Sequence, residues 1–266
     1  MERKYEILNE TVNVDDATLY RIRALRDIEG YGVTKGDLGG FIENETNLDH
    51  SGDAWVYGDA RVYGDARVSG DARVSGGAWV SGDAWVSGDA WVSGGAWVSG
   101  DAWVYGDARV YGDARVYGDA RVYGDARVYG GAWVYGGARV YGGARVYGGA
   151  WVYGDARVYG DAWVSGDARV SGDARVYGDA RVSGDARVSG DARVSGDAIM
   201  WVSKIGSRLG TTTIFKGGNN TILVNCGCFF GTLSEFENEV IETHNNNKYG
   251  QEYKLLIDLV KIHFGV

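Results

Sequence analysis

Gly52-Asp53-Ala54-Trp55-Val56-Tyr57-Gly58-Asp59-Ala60-Arg61-Val62-Tyr63 opens a hexapeptide pattern, Gly-Asp-Ala-Arg/Trp-Val-Tyr/Ser, that continues without insertion or deletion. Alanine recurs at every sixth residue from Ala54 to Ala192, which makes 24 units and 144 of the 266 residues. Self-similarity at a fixed short period marks a solenoid. Ala54 and Val56 sit two apart and so share one face of a strand, while Trp55 between them points the other way. Each unit therefore reads as a short strand with Ala and Val inward and one large residue, Trp or Arg, outward. The following Tyr/Ser-Gly-Asp makes a corner, where Gly tolerates positive φ and Asp is expected to hydrogen-bond local backbone. A helix fits badly, because six residues do not match a turn of 3.6 and every unit carries Gly. Proline is absent, so each residue keeps a backbone donor for a ladder.

The run Val-x-Gly-Asp-Ala-x closely resembles the hexapeptide repeat of left-handed parallel β-helices, with an aliphatic residue inward and a small one four later, as at Val56 and Ala60. The resemblance implies three flat faces and 18 residues per coil. At ~4.8 Å between stacked strands, eight coils make a rod roughly 38 Å long. The expected fold class is an all-β solenoid, a left-handed parallel β-helix of about eight regular coils. It carries an N-terminal β cap and a small C-terminal α+β cap.

Adding 18 residues moves one coil along a face, so the outward residues form columns of Trp and Arg. Mixed neighbours suit cation–π stacking. The array holds 15 Arg and 18 Asp, and neighbouring Arg is expected to compensate the stacked carboxylates. The variable positions come in blocks. Trp79, Trp85, Trp91, Trp97 and Trp103 occupy five successive units and form an aromatic girdle around all three faces. From Tyr105 to Tyr159 every corner carries Tyr, ten in succession, and within this belt Gly131, Gly137, Gly143 and Gly149 replace Asp. A contiguous aromatic surface is a candidate interaction patch. The candidate ligand-binding or interface residues are Trp79, Trp85, Trp91, Trp97, Trp103, Tyr135, Tyr141 and Tyr147. The competing reading is that the rings only stack coil on coil.

The flanks lack the hexad. The divisions read from sequence are an N-terminal β cap over 1–50, the repeat β-helix over 51–203 and a C-terminal α+β cap with two helices over 204–266. Tyr5–Leu8 and Thr18–Leu25 read as strands, and Lys35–Ile42 as a degenerate coil that leads into the array. Strands are expected at Thr211–Phe215 and Thr221–Asn225, around a hairpin turn at Gly217-Gly218-Asn219-Asn220. Thr232-Leu233-Ser234-Glu235 is a capping box that starts a helix with Leu233, Phe236 and Val240 on one face. Asn245-Asn246-Asn247 breaks it, and a second helix follows with Tyr249, Tyr253, Leu256, Ile257 and Val260 inward. With these flanks the chain resembles hexapeptide-repeat proteins of bacteria, phages and prophages. The resembling pieces are Tyr20–Leu25, Gly36–Ile42, the Gly-Asp-Ala-Arg-Val units and Gly227–Phe236. That resemblance implies a phage or prophage origin.

The best-known proteins with this helix are acyltransferases, which act through a His near an inter-subunit cleft and bind coenzyme A or an acyl carrier. This chain has three His, at His50, His244 and His263, all outside the array. No loop leaves the array to carry a catalytic group, so no catalytic residue is assigned and the chain is not expected to be an enzyme. Cys226 and Cys228 are too close in sequence for an unstrained disulfide and have no second pair for zinc. No metal or cofactor is expected. Met1-Glu2-Arg3-Lys4 leads into no apolar signal segment, and no apolar span of about 20 residues occurs, so a cytoplasmic protein is expected.

The reading of function is a non-enzymatic binding or structural scaffold whose ligand is a protein or a nucleotide-like molecule. In a phage setting the protein would be a host factor. The net charge of −9 argues against direct DNA binding. An acidic rod that mimics nucleic acid is the second class, and a hexapeptide-repeat acyltransferase the third. The resemblance also implies homotrimers packed along the faces.

Overall fold

The computed structural model describes residues 3–196, 198–217 and 221–266. From Trp55–Val56 to Arg193–Ser195, 24 short strands form three parallel sheets with eight repeat strands in each. The register is 18 residues, as in Val56↔Val74, Val62↔Val80 and Val68↔Val86. Every array Ala and Val from Ala54 to Val194 is fully buried. The interior is therefore a set of Ala and Val columns, closed by ladder bonds such as Trp55 N–H to Ala72 O at 3.0 Å. The lead-in adds a partial coil below these eight, through Phe41↔Arg61, Ile42↔Val62 and Leu48↔Val68. The solenoid thus has about nine turns.

Glycine turns the corners. Ala72 N–H donates to Ser69 O at 3.3 Å, and Gly70, the first central residue, has φ 66°. Positive φ at that position alone is a type II′ turn. The corner glycines also stack closely: a Cβ on Gly82 would lie 2.9 Å from Gly100 N. Both the backbone angle and the coil spacing exclude a side chain there.

Two expectations about Asp need correction. Among the described residues, Asp71 is the one array carboxylate that accepts a backbone N–H, from Asp53 at 3.2 Å. Asp is therefore not what holds the corners. The array carboxylates in ion pairs are, among the described residues, Asp59 with Arg21 (4.0 Å) and Asp53 with Arg26 (3.5 Å), both partners lying in the N-terminal segment. Array Arg leaves from a flat face and Asp from an edge. Both end in water, where a fixed pair is worth only ~0–1 kcal/mol. Eight of the fifteen array guanidiniums lie over aromatic rings instead, and Arg115 sits between Trp97 and Trp133, 5.5 and 4.9 Å from their centres.

The two ends are closed differently. Strands Tyr5–Val14 and Ala17–Ala24 form an antiparallel hairpin, and Leu38–Ile42 pairs antiparallel with the second and parallel with Arg61–Val62. The first regular coil's alanine carbonyls are met from below by the N-terminal segment and its partial coil. Lys4 Nζ donates to Ala54 O (2.8 Å), Phe41 N–H to Ala60 O (2.9 Å) and Asn47 Nδ2 to Ala66 O (2.9 Å). At the other end strands Ile199–Ile205, Gly210–Lys216, Ile222–Cys226 and Phe229–Thr232 form an antiparallel sheet. Its first and last strands were not anticipated, and Gly218, Asn219 and Asn220 of the expected turn lie outside the described residues. Thr213 Oγ1 accepts the N–H of Arg187 at 2.9 Å, and Phe215 enters the solenoid core. Helices α1 (Leu233–His244) and α2 (Lys248–Phe264) cover the sheet. The Thr232/Glu235 capping box is formed, and Leu233, Phe236, Val240, Tyr253, Leu256, Ile257 and Val260 are buried.

Candidate functional site

Six outward Trp share one geometric rule. Each leans over the corner residue 16 positions earlier, which belongs to the coil below. Trp79 meets the ring of Tyr63 edge-on at 6.3 Å, Trp133 that of Tyr117 at 6.1 Å, Trp151 that of Tyr135 at 6.3 Å and Trp163 that of Tyr147 at 6.3 Å. Where that corner is Ser, the indole finds only a hydroxyl. Trp85 Nε1 donates to Ser69 Oγ at 3.1 Å and Trp91 Nε1 to Ser75 Oγ at 3.3 Å.

Exposure follows the corner. The four Trp over Tyr are all half-buried. The four over Ser, namely Trp85, Trp91, Trp97 and Trp103, are 38, 39, 43 and 39% exposed. A serine corner lacks the phenol ring that would cover the indole, so the ring keeps a free edge and face.

These facts rearrange the expected girdle. Trp79 leaves the exposed set because Tyr63 covers it. The other four circle the rod rather than form one flat patch. Trp97 stacks on Trp79 on one face (5.0 Å), Trp103 meets Trp85 edge-on along a second (5.2 Å), and Trp91 stands on the third between Arg73 and Arg109. Trp55, expected outward, is 1% exposed, because the N-terminal strand lays Tyr5 against it.

Tyr135, Tyr141 and Tyr147 are not brought together. They belong to three separate corner ladders, Tyr117–Tyr135–Tyr153, Tyr105–Tyr123–Tyr141–Tyr159–Tyr177 and Tyr111–Tyr129–Tyr147, with rings 4.9–5.3 Å apart. Tyr135 and Tyr141 are stacked on both faces by ladder neighbours, and Tyr147 is stacked on one face by Tyr129 and met edge-on by Trp163. Burial in the ladders raises the phenols of Tyr117, Tyr123, Tyr129, Tyr135 and Tyr159 above their usual range, which keeps them protonated.

The histidines are dispersed. His50 Nδ1 accepts the N–H of Lys4 at 3.2 Å, its ring stacks on Tyr5 at 4.3 Å, and its Nε2 is buried without a partner. Burial also holds its pKa below the ordinary imidazole value. His244 stacks on Tyr253 and His263 meets Phe264, both in the C-terminal cap. Cys226 and Cys228 are free thiols, and Cys226 Sγ accepts from Thr212 Oγ1 at 3.1 Å. Among the described residues no three His, Cys, Asp or Glu gather as metal ligands, and no helix is long and apolar enough to cross a membrane.

The array matches the family model described as YdcK Beta solenoid repeat. The matches fall at residues 54–69, 66–82, 102–118, 108–122, 120–136, 138–154, 150–166, 168–184, 174–190 and 186–200. No curated protein matches the chain in sequence.

Proposed function

The chain is a parallel β-helix built of β-solenoid repeats, and from that premise we propose that it acts as a non-enzymatic scaffold that presents Trp85, Trp91, Trp97 and Trp103 to a protein partner. The observation that carries this is the serine corner. Four successive Trp stand over Ser and are exposed, while the array Trp over Tyr are half-buried. Packing alone would be better served by Tyr, since edge-on aromatic pairs add ~0.5–1.5 kcal/mol each. Exposed Trp with neighbouring Arg is the composition of binding hot spots. Catalysis has no support in the placement of His50, His244 and His263, which are split between the two ends and packed against other rings. The finer reading is a phage- or prophage-encoded rod that sequesters a host factor in the cytoplasm.

Capture from host lysate tests both levels. The fourfold variant Trp85→Arg, Trp91→Arg, Trp97→Arg, Trp103→Arg uses a residue that 15 units already carry outward, so it keeps the fold. It is expected to lose the captured protein. A folded variant that captures the same partner sinks the proposal. Capture lost only at raised salt, with the Trp changes irrelevant, points to the acidic mimic instead. Coenzyme A binding by calorimetry would revive the acyltransferase class.

A further inference from the structure

We propose that the groove at the foot of the Tyr111–Tyr129–Tyr147 ladder binds a nucleoside monophosphate, its base stacked beneath Tyr111 and its phosphate held by Arg109 and Arg127. The groove measures about 250 Å³ and is lined by Trp91, Ser93, Arg109, Tyr111 and Arg127. It exists because the ladder stops. Tyr111, Tyr129 and Tyr147 stack at 4.9 Å with their planes 1° and 4° apart, and the next corner down is Ser93. The lower face of Tyr111 therefore meets a hydroxymethyl group where a ring would continue the stack. The difference between Ser and Tyr is one six-membered aromatic ring, which is the size of a pyrimidine.

The charged part of the ligand is set by two arginines. Arg109 and Arg127 line the groove with Ser93 and Tyr111 and are register partners on adjacent strands. Among the described residues neither makes an ion pair. Two arginines rooted one strand spacing apart, ~4.8 Å, can converge on the oxygens of one phosphate. The other two ladder feet differ. Tyr105 stands over Ser87 between Trp103 and Arg121, and Tyr117 over Ser99 between Arg115 and Trp133, so each supplies one guanidinium rather than two. Gly95 removes a carboxylate from the Ser93 corner, but Asp113 of the next coil overhangs it. Acid columns along the neighbouring edges thus oppose a long polyanion and leave room for one compact dianion.

This inference rests on the array being a binding surface and not on the protein partner proposed above. Arg127→Gln separates the two, since it removes a proposed phosphate ligand and leaves all four exposed Trp unchanged.

Calorimetric titration of the whole chain with UMP is the test, with uridine and ribose 5-phosphate as half-ligands. UMP is expected to bind with a Kd on the order of 0.1–1 mM, as suits an open groove, and each half-ligand about tenfold or more weaker. Arg109→Gln and Arg127→Gln should each weaken UMP by about tenfold. Ser93→Tyr places in the groove a residue already found at ten successive corners, so it should fold and abolish binding. No UMP binding overturns the proposal, and so does binding that Ser93→Tyr leaves intact. A thymidine oligonucleotide that binds more tightly than UMP would assign the site to single-stranded nucleic acid and overturn the mononucleotide.

Discussion

Trp97 and Trp151 occupy the same position of the repeat on the same face of the rod, yet one is exposed and the other half-buried. Their strands, ladder bonds and inward neighbours are equivalent. The difference lies in the coil below, where Ser81 underlies Trp97 and Tyr135 underlies Trp151. One backbone therefore carries two dressings: a zone at Trp85–Trp103 whose aromatic surface is open, and a belt at Trp133–Trp163 whose aromatic surface is consumed by its own packing. A solenoid makes such zoning cheap in structural terms, because an outward side chain contacts only its neighbours along and beside the column.

The largest effect should come from converting one zone into the other. Changing Ser69, Ser75, Ser81 and Ser87 together to Tyr gives the four open Trp the corners that cover the others. Four edge-on contacts at ~0.5–1 kcal/mol each should raise unfolding stability by roughly 2–4 kcal/mol. Indole emission should shift blue and acrylamide quenching fall. Unchanged quenching would show that the corner does not govern exposure. The same variant should lose the protein partner while growing more stable, which separates a binding defect from a folding defect.

The next effect should be equal in the two zones. Gly88 and Gly136 have φ 65° and 66°, and a Cβ would lie 3.0 and 3.2 Å from Gly106 N and Gly154 N. Ala at either should cost about 1–2 kcal/mol, from the left-handed backbone and the crowded next coil. Urea midpoints measure both. Costs differing by more than about 1 kcal/mol would mean that the zones differ in backbone as well as in dressing. Tyr135→Ser then runs the conversion backwards at one site. It should cost about 0.5–1.5 kcal/mol and raise quenching of Trp151 alone.

The Ala-Val period makes the coil, the face assignment and the register legible in the sequence, because two-residue alternation inside a six-residue repeat leaves one backbone solution. Thr232 and Glu235 announced α1 through local chemistry for the same reason. What escaped were contacts between segments distant in sequence. Tyr5 against Trp55 is such a contact, and so is Lys4 on Ala54 O. Strand Ile199–Ile205 was masked because Ala198-Ile199-Met200-Trp201-Val202 still looks like the fading repeat, and Phe229–Thr232 is only four residues. Among the candidate site residues, the five Trp were visible as a block but their exposure was not. The signal was present as the residue 16 positions back, and reading it required knowing which way the side chain leans.

The smallest effect distinguishes the zones by titration. Burial lifts the phenols of Tyr117, Tyr123, Tyr129, Tyr135 and Tyr159 above their ordinary 10.0, whereas the Trp85–Trp103 zone stands on serines that do not titrate. Near pH 10 the unfolded chain sheds these protons while the fold retains them. The stability they contribute is therefore whole below pH 10 and declines as pH rises beyond it. Lys4 acts with the opposite sign: burial, and then Arg26, lower its ammonium from 10.5 to about 8. Between those values the unfolded chain holds the proton and the fold does not, so stability climbs with pH. Urea midpoints from about pH 7 to about 11 should rise and then fall. Lys4→Met should flatten the rise. Tyr117→Ser with Tyr135→Ser should soften the fall without removing it, because burial also raises Tyr5 in the N-terminal cap. A fall of unchanged steepness in that double variant would place the alkaline transition in the cap and leave the two zones alike in this respect.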